Sequence, residues 1–275
     1  MLESLSFAVK AGLYTTLLGA AGLTLHALLF RMDYRKWIIG LALLLAVTIA
    51  LRLVLLNAEL AGGLSRTFDF DMFGWIWAPN RNQILAQGAG VIALLAGAST
   101  QWRPLLAAGA MLIVAGTGLG GHTQGLDSPG FNPLLVSLHV AIAAFWVTAP
   151  FTLWPQTVRP NDALVLRMQR FSRVAVWCVP VLFASGLWLA WRLTGSFEAL
   201  VTEPYGQLLI AKLLLATCAL GLGAVNKAWM TGQLQEQAPN ARAILRWILA
   251  FDGLLFTGVI LAIAAATTLT GAGAN

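Results

Sequence analysis

The sequence predicts an all-α, polytopic membrane protein: a bundle of eight transmembrane helices that forms a single domain over residues 1–275. Hydrophobic residues make up 59% of the chain and charged residues only 10%, whereas soluble proteins carry about 25% charged residues. A water-soluble fold of this length would not bury so much apolar surface in one core. The composition therefore excludes a soluble globular protein, a disordered chain and a large extramembrane domain.

Eight apolar stretches approach the length of about 20 residues that a helix needs to cross a bilayer. Helices are expected because backbone groups in lipid must find their hydrogen-bond partners within the span. In chain order the predicted spans are Leu5–Phe30, Trp37–Leu56, Gln83–Thr100, Pro104–Gly120, Asn132–Trp154, Phe171–Leu193, Tyr205–Asn226 and Trp247–Leu269. The first span is expected to be a retained helix rather than a signal peptide, because its basic cluster follows the apolar stretch instead of preceding it.

The basic residues are unevenly distributed between the two sides of the predicted bundle. Of the 17 Lys and Arg residues, 11 follow spans 1, 3, 5 and 7, if Arg173 at the start of span 6 is included. By the positive-inside rule these connections are cytoplasmic, which places both termini outside. The formal charge of +6 is therefore interpreted as a topology signal, and no nucleic-acid partner is expected.

The longest outer segment is aromatic and acidic between Phe68 and Pro79. Tryptophan and tyrosine favour the headgroup level, so the segment is interpreted first as an interfacial anchor. The alternative is a lid over an outward-facing site, in which Asp69, Asp71 and Met72 would take part.

The chain has three histidines, and two of them lie on the predicted outer side. His122 follows the glycine-rich end of span 4, and His139 lies about two turns into span 5. Because a short loop joins these antiparallel spans, the two imidazoles are expected to meet and to share one metal ion. The alternative is that each histidine forms ordinary hydrogen bonds between helices.

A second, inner metal site is a weaker hypothesis. His26 lies near the cytoplasmic end of span 1, where it could join Cys178 and Asp252. Asp252 would otherwise be protonated, or paired with a base such as Arg173 or Arg246, because an unpaired carboxylate is costly in lipid.

Besides Arg173 and Arg192 at the two ends of span 6, three basic residues lie inside predicted spans. Lys10 is near the outer end of its span and is expected to snorkel to the interface. For Arg52, snorkelling and a functional role stay open. Lys212 lies deeper, about two turns from the outer face, where it is expected to pair with an outer acid such as Glu203 or to act as a gate.

The second half of the chain resembles the copper-resistance protein D family. The resemblance is strongest over residues 116–270, and the first three spans match only in number and length. It is carried by the order and spacing of the following runs: Gly121–His122, Leu138–Trp146, Arg170–Ala175, Ser185–Ala190, Leu193–Ser196, Thr202–Lys212 and Asn226–Lys227.

The resemblance implies an inner-membrane protein of eight helices that moves copper from the periplasm, or accepts it there, together with a periplasmic copper-binding partner protein. Membrane histidines are the suspected ligands in that family, which maps onto His122 and His139. Lys212 and Asn226 match recurrent family positions, and Asp252 stands where many relatives have Glu. The chain departs from the family at Pro150, which is expected to kink or weaken span 5 about one turn past Trp146.

A rival hypothesis keeps the same histidines but assigns them to a haem. The fold family resembles membrane proteins that bind haem and oxidise porphyrinogens, so a haem b-dependent oxidoreductase is the alternative to a copper-handling protein that is not an enzyme. In that case the histidines would be axial ligands of iron. The sequence leaves the oligomeric state open.

Overall fold

The computed structural model describes residues 1–68, 71–120, 130–155 and 161–268. These ranges are helical and contain no β-strand. The α-helices are α1 (Leu2–Phe30), α2 (Arg35–Leu60), α3 (Phe73–Thr100), α4 (Arg103–Gly118), α5 (Asn132–Val147), α6 (Ala149–Thr152), α7 (Asn161–Thr194), α8 (Phe197–Thr202), α9 (Pro204–Val225), α10 (Thr231–Gln235) and α11 (Ala241–Thr268). A 3₁₀ turn at Leu64–Arg66 follows α2, and a π-helical turn at Asn226–Met230 joins α9 to α10.

Seven helical segments in the described ranges are long and apolar enough to cross a membrane. The fourth predicted span corresponds to α4, which has 16 residues. At 1.5 Å per residue it is about 24 Å long, shorter than a hydrocarbon core of about 30 Å. The chain is thus a multi-pass membrane protein, whereas the count of eight spans and the outward location of the termini stay predictions.

Several helices begin earlier than the apolar stretches that predicted them. Helix α3 starts at Phe73 instead of Gln83, α7 at Asn161 instead of Phe171, and α11 at Ala241 instead of Trp247. Hydropathy marks only the part of a helix that is apolar enough for lipid, whereas polar residues continue the same backbone ladder beyond it. The expected cytoplasmic loop before span 6 is therefore partly helix.

The weakening predicted at Pro150 is present as a break in span 5. Helix α5 ends at Val147, and the short helix α6 starts again at Ala149, with Pro150 at its beginning. Proline has no N–H, so the helical hydrogen-bond ladder is interrupted where Pro150 enters. The break divides this span into two helical pieces.

Helix α1 lies at the centre of the bundle, where it packs against α2, α4, α5 and α11. One apolar cluster joins α1 to α2, α3 and α4 around Leu23, Leu45 and Leu94. A second cluster surrounds α5, α7, α10 and α11 and contains Phe145 and Leu249. Helix α1 contributes to both clusters, so it ties the two parts of the protein together.

Glycines allow the closest helix contacts. A Cβ atom on Gly22 of α1 would overlap the carbonyl oxygen of Ala144 on α5. Between α3 and α4, a Cβ on Gly90 would come within 2.9 Å of the Gly109 carbonyl oxygen. In a membrane, helices associate mainly by such close packing because lipid chains are as apolar as the side chains. The small residues therefore fix how near α1 lies to α5.

We predict that Gly22→Ala lowers the stability of the protein by about 1–3 kcal/mol, because the added methyl group must push α1 away from α5. Gly40→Ala on α2 is the matched control, since a Cβ there meets no atom within 4 Å. Thermal melting in detergent, followed by circular dichroism, measures both variants. Equal melting temperatures for the two variants would contradict the close contact at Gly22.

Candidate functional site

His139 lies on α5 at the contact with α7, half-buried between the two helices. Its Nδ1 atom is 2.9 Å from the hydroxyl oxygen of Ser185 on α7. Gly186 leaves room for the ring, because a Cβ at that position would come within 3.2 Å of the His139 Cε1 atom. The pairing of an imidazole with a Ser-Gly pair thus sets the position and orientation of the His139 ring.

The hydrogen bonds around Ser185 assign the proton on the His139 ring. Ser185 donates its hydroxyl hydrogen to the carbonyl oxygen of Leu182 at 2.9 Å, so its hydroxyl oxygen is left to accept a hydrogen bond from the His139 ring. A carbonyl accepts but never donates, so Nδ1 of His139 carries the proton. Nε2 then keeps its lone pair, which is the form in which histidine binds a metal ion.

A second contact holds α5 to α7 at the start of α5, about two helical turns before His139. Trp188 donates its indole N–H to the side-chain oxygen of Asn132 at 2.9 Å, and Asn132 is buried. The Trp188 ring also stacks on Phe131 with ring centroids 5.5 Å apart. These contacts restrict how far α7 can move relative to the His139 ring.

Lys212 on α9 is the charged neighbour of His139. Its ammonium group makes no hydrogen bond or ion pair with any residue that the structure describes. Glu203, which was expected as a partner, is exposed at the start of α9 and does not pair with Lys212. The space beside His139 therefore holds a positive charge that no described acid neutralises.

Two of the predicted outer residues lie just before α3. Asp71 is exposed and Met72 is partly exposed. The aromatic segment that follows them is the first turn of α3, where the Phe73 and Trp77 rings stack with centroids 6.0 Å apart. Both the interfacial anchor and the lid stay predictions.

The other predicted residues of the outer site, His122 and Asp69, lie outside the described residues. The proposed sharing of one ion by His122 and His139 is therefore a prediction. Within the described ranges, no three His, Cys, Asp or Glu side chains come together in a group that could hold a metal ion.

His26 lies on α1 and is enclosed against α5, with no exposed surface. Its Nε2 atom donates to the carbonyl oxygen of Phe145 at 2.8 Å. Its Nδ1 atom lies 2.6 Å from the Thr152 hydroxyl group, which donates to it. The rings of Phe30, Phe145 and Phe171 surround it, with centroids 4.5–5.9 Å away. Both nitrogens are thus used by the protein, and His26 ties α1 to the broken helix α5–α6.

Cys178 and Asp252, the other members of the predicted inner site, are not grouped with His26 into a metal site. Asp252 is 4% exposed, and its Oδ1 atom has no hydrogen-bond partner. The two bases expected to pair with it do not: Arg173 is exposed, and Arg246 donates to the carbonyl oxygen of Pro155 at 3.4 Å.

Lys10 and Arg52 both have partners within the protein that the sequence interpretation did not name. The guanidinium group of Arg52 lies 3.6 Å from the carboxylate of Glu59, which is seven residues further along α2. Ser6 donates to the same carboxylate, and Lys10 donates to the carbonyl oxygen of Thr267 on α11. The seven-residue spacing of Arg52 and Glu59 was the available sequence signal, because it places both on one helix face.

The comparisons with known proteins bear on the second half of the chain. The family model of copper resistance protein D (CopD) matches residues 165–267, which contain α9, α11 and most of α7. The resemblance inferred from the sequence is confirmed over this segment. No curated protein and no solved structure matches the chain.

We predict that His26→Leu destabilises the protein by about 2 kcal/mol or more, because it leaves the Phe145 carbonyl and the Thr152 hydroxyl without their partner. His26→Gln, which keeps a donor and an acceptor, is expected to lose less stability. Thermal melting in detergent compares the two variants. A Leu variant as stable as the parent would contradict a structural role for His26.

Proposed function

We propose that this multi-pass membrane protein, which matches the copper resistance protein D family over residues 165–267, receives copper at an outward-facing site centred on His139. His122 would be the second ligand, and copper would then be moved across the membrane or passed on. The proposed location is the bacterial inner membrane. Copper is the cargo in this account, and no enzymatic step is required.

The observation that carries the proposal is the state of the His139 ring. Histidines that bind metals usually donate their other ring N–H to a protein oxygen, which fixes the tautomer and the ring plane. His139 has such an arrangement through Ser185 and Leu182. Imidazole nitrogen suits copper well, and copper(II) forms the most stable complexes among the divalent first-row metals. His26 offers no comparable lone pair.

Lys212 gives the site a property that suits transfer better than storage. A positive charge near a bound cation weakens binding, because the two repel each other in a medium of low dielectric constant. An ion that must move on has to bind well enough to enter and weakly enough to leave. Lys212 would therefore limit the residence time of copper at His139.

The outer segment before α3 would draw the cation toward the site. Asp71 and the preceding Asp69 supply negative charge, and Met72 supplies a soft thioether ligand. A periplasmic copper-binding protein is the proposed donor. No observation favours the haem alternative, which becomes an outcome of the following experiment.

The test is elemental analysis by plasma mass spectrometry of the detergent-purified protein, loaded with copper and desalted. We expect about one copper per chain, and its loss in His139→Ala. Ser137→Ala, two residues earlier on α5, is the matched control and is expected to retain copper. Ser185→Ala is expected to keep the site but to lower its affinity by about 10- to 100-fold, because the ring loses its anchor.

Lys212→Gln completes the set, because it removes the charge without shortening the side chain greatly. We expect it to bind copper more tightly than the parent, by about tenfold for each 1.4 kcal/mol of repulsion removed. Equal copper content in the parent and in His139→Ala would overturn the proposal. Purified protein that carries iron with little copper would favour the haem alternative instead.

A further inference from the structure

Helix α11 buries a row of side chains that is apolar except at one position. The row comprises Leu245, Leu249, Asp252, Phe256 and Ile260, spaced three or four residues apart. Asp252 is 4% exposed, and its Oδ1 atom is buried without a hydrogen-bond partner. A carboxylate in such surroundings is costly, so a buried acid within a membrane span points to a function.

Helix α9 and its continuation carry a matching row. The buried side chains are Ala219, Asn226, Met230 and Leu234. Asn226 is 9% exposed, and its Oδ1 atom is also buried without a partner. It begins the π-helical turn Asn226–Met230, a type of irregularity that occurs frequently at functional sites.

The two rows lie on neighbouring helices that share one apolar cluster. Helices α9 and α11 pack against each other, and both contribute to a single apolar cluster that includes Met230, Leu249 and Phe256. A short connection through α10 joins them, so the two helices are antiparallel and both polar residues lie toward that connection. Asn226 and Asp252 are thus two unpartnered acceptors set in the same apolar contact.

No ion pair or hydrogen bond joins Asp252 to a charged group among the residues that the structure describes. On α1, His26 is held by Thr152 and Phe145, and Lys227, beside Asn226, is exposed. Helices α6 and α10 contain no charged residue. The remaining bases of α9 and α11 are directed elsewhere or lie far along the helix: Lys212 near His139, Arg242 at the start of α11 with its own partner, and Arg246 bonded to the Pro155 carbonyl.

We propose that Asp252 and Asn226 form a buried proton-binding site between α9 and α11. A protonated carboxyl group is neutral and becomes a hydrogen-bond donor, and an amide oxygen is the acceptor that such a donor requires. One proton from water therefore satisfies both groups, with no redox change. Magnesium and calcium need about six oxygen ligands, whereas one carboxylate and one amide supply three oxygens. Copper(I) prefers sulfur.

The site goes beyond copper binding at His139 and uses different residues. It gives the protein a group that can take up and release a proton within a membrane span, as proton relays in pumps and transporters do. The two proposals can therefore fail separately.

Infrared difference spectroscopy of the purified full-length protein tests the proposal. At neutral pH we expect the carbonyl stretch of a protonated carboxylic acid, shifted by deuterium exchange and absent in Asp252→Asn. The control Asp162→Asn changes an exposed acid on α7 and should leave the band in place. Asn226→Leu should keep the band but move it to higher frequency, because the carboxyl group loses its acceptor.

Absence of the band in the parent, or its persistence in Asp252→Asn, would overturn the proton site. A band that appears only when sodium or another metal ion is removed would also overturn it, in favour of a cation site. If Asp252→Asn does not fold, Asp252→Leu serves instead, since an apolar side chain fits this row. Copper content is measured on the same samples and should be unchanged, which separates this test from that of His139.

Discussion

The structure depends on one constraint: a polar atom that is removed from water must find a partner inside the protein. This constraint sorts the three kinds of polar side chain in the bundle. His26 has both ring nitrogens bonded, and Arg52 is paired with Glu59. His139 has one nitrogen bonded and one available. Asn226 and Asp252 each keep a buried oxygen without a hydrogen-bond partner among the described residues.

The two histidines show how the same side chain takes opposite roles. Helix α1 approaches α5 closely at Gly22, and this approach lets His26 reach the Phe145 carbonyl in the last turns before the break at Thr148. Thr152, beyond the break, completes its bonds. His139 lies on α5 itself and contacts α7, where Ser185 bonds only one side of the ring. The surroundings, not the residue type, make His26 structural and leave His139 available.

Much of the fold follows from the sequence because lipid imposes simple rules. Apolar stretches of sufficient length located seven of the long helices. The missing N–H of Pro150 predicted that span 5 would weaken where α5 ends. The starts of α3 and α7 were missed, because Pro79, Asn80 and Arg81 in α3 and the polar residues at the start of α7 interrupt the apolar pattern while the backbone stays helical. The partners of His26 and Lys10 were missed as well, because they lie on other helices and depend on how those helices pack.

The central claim is that copper binds to the Nε2 atom of His139. Copper K-edge X-ray absorption of the copper-loaded protein tests it most directly, because imidazole ligands give a characteristic pattern of outer-shell scattering. The account predicts this pattern in the parent protein and a loss of one imidazole in His139→Ala, while His26→Gln leaves the spectrum unchanged. A spectrum without histidine scattering, or one that is identical in the parent and in His139→Ala, would contradict the account.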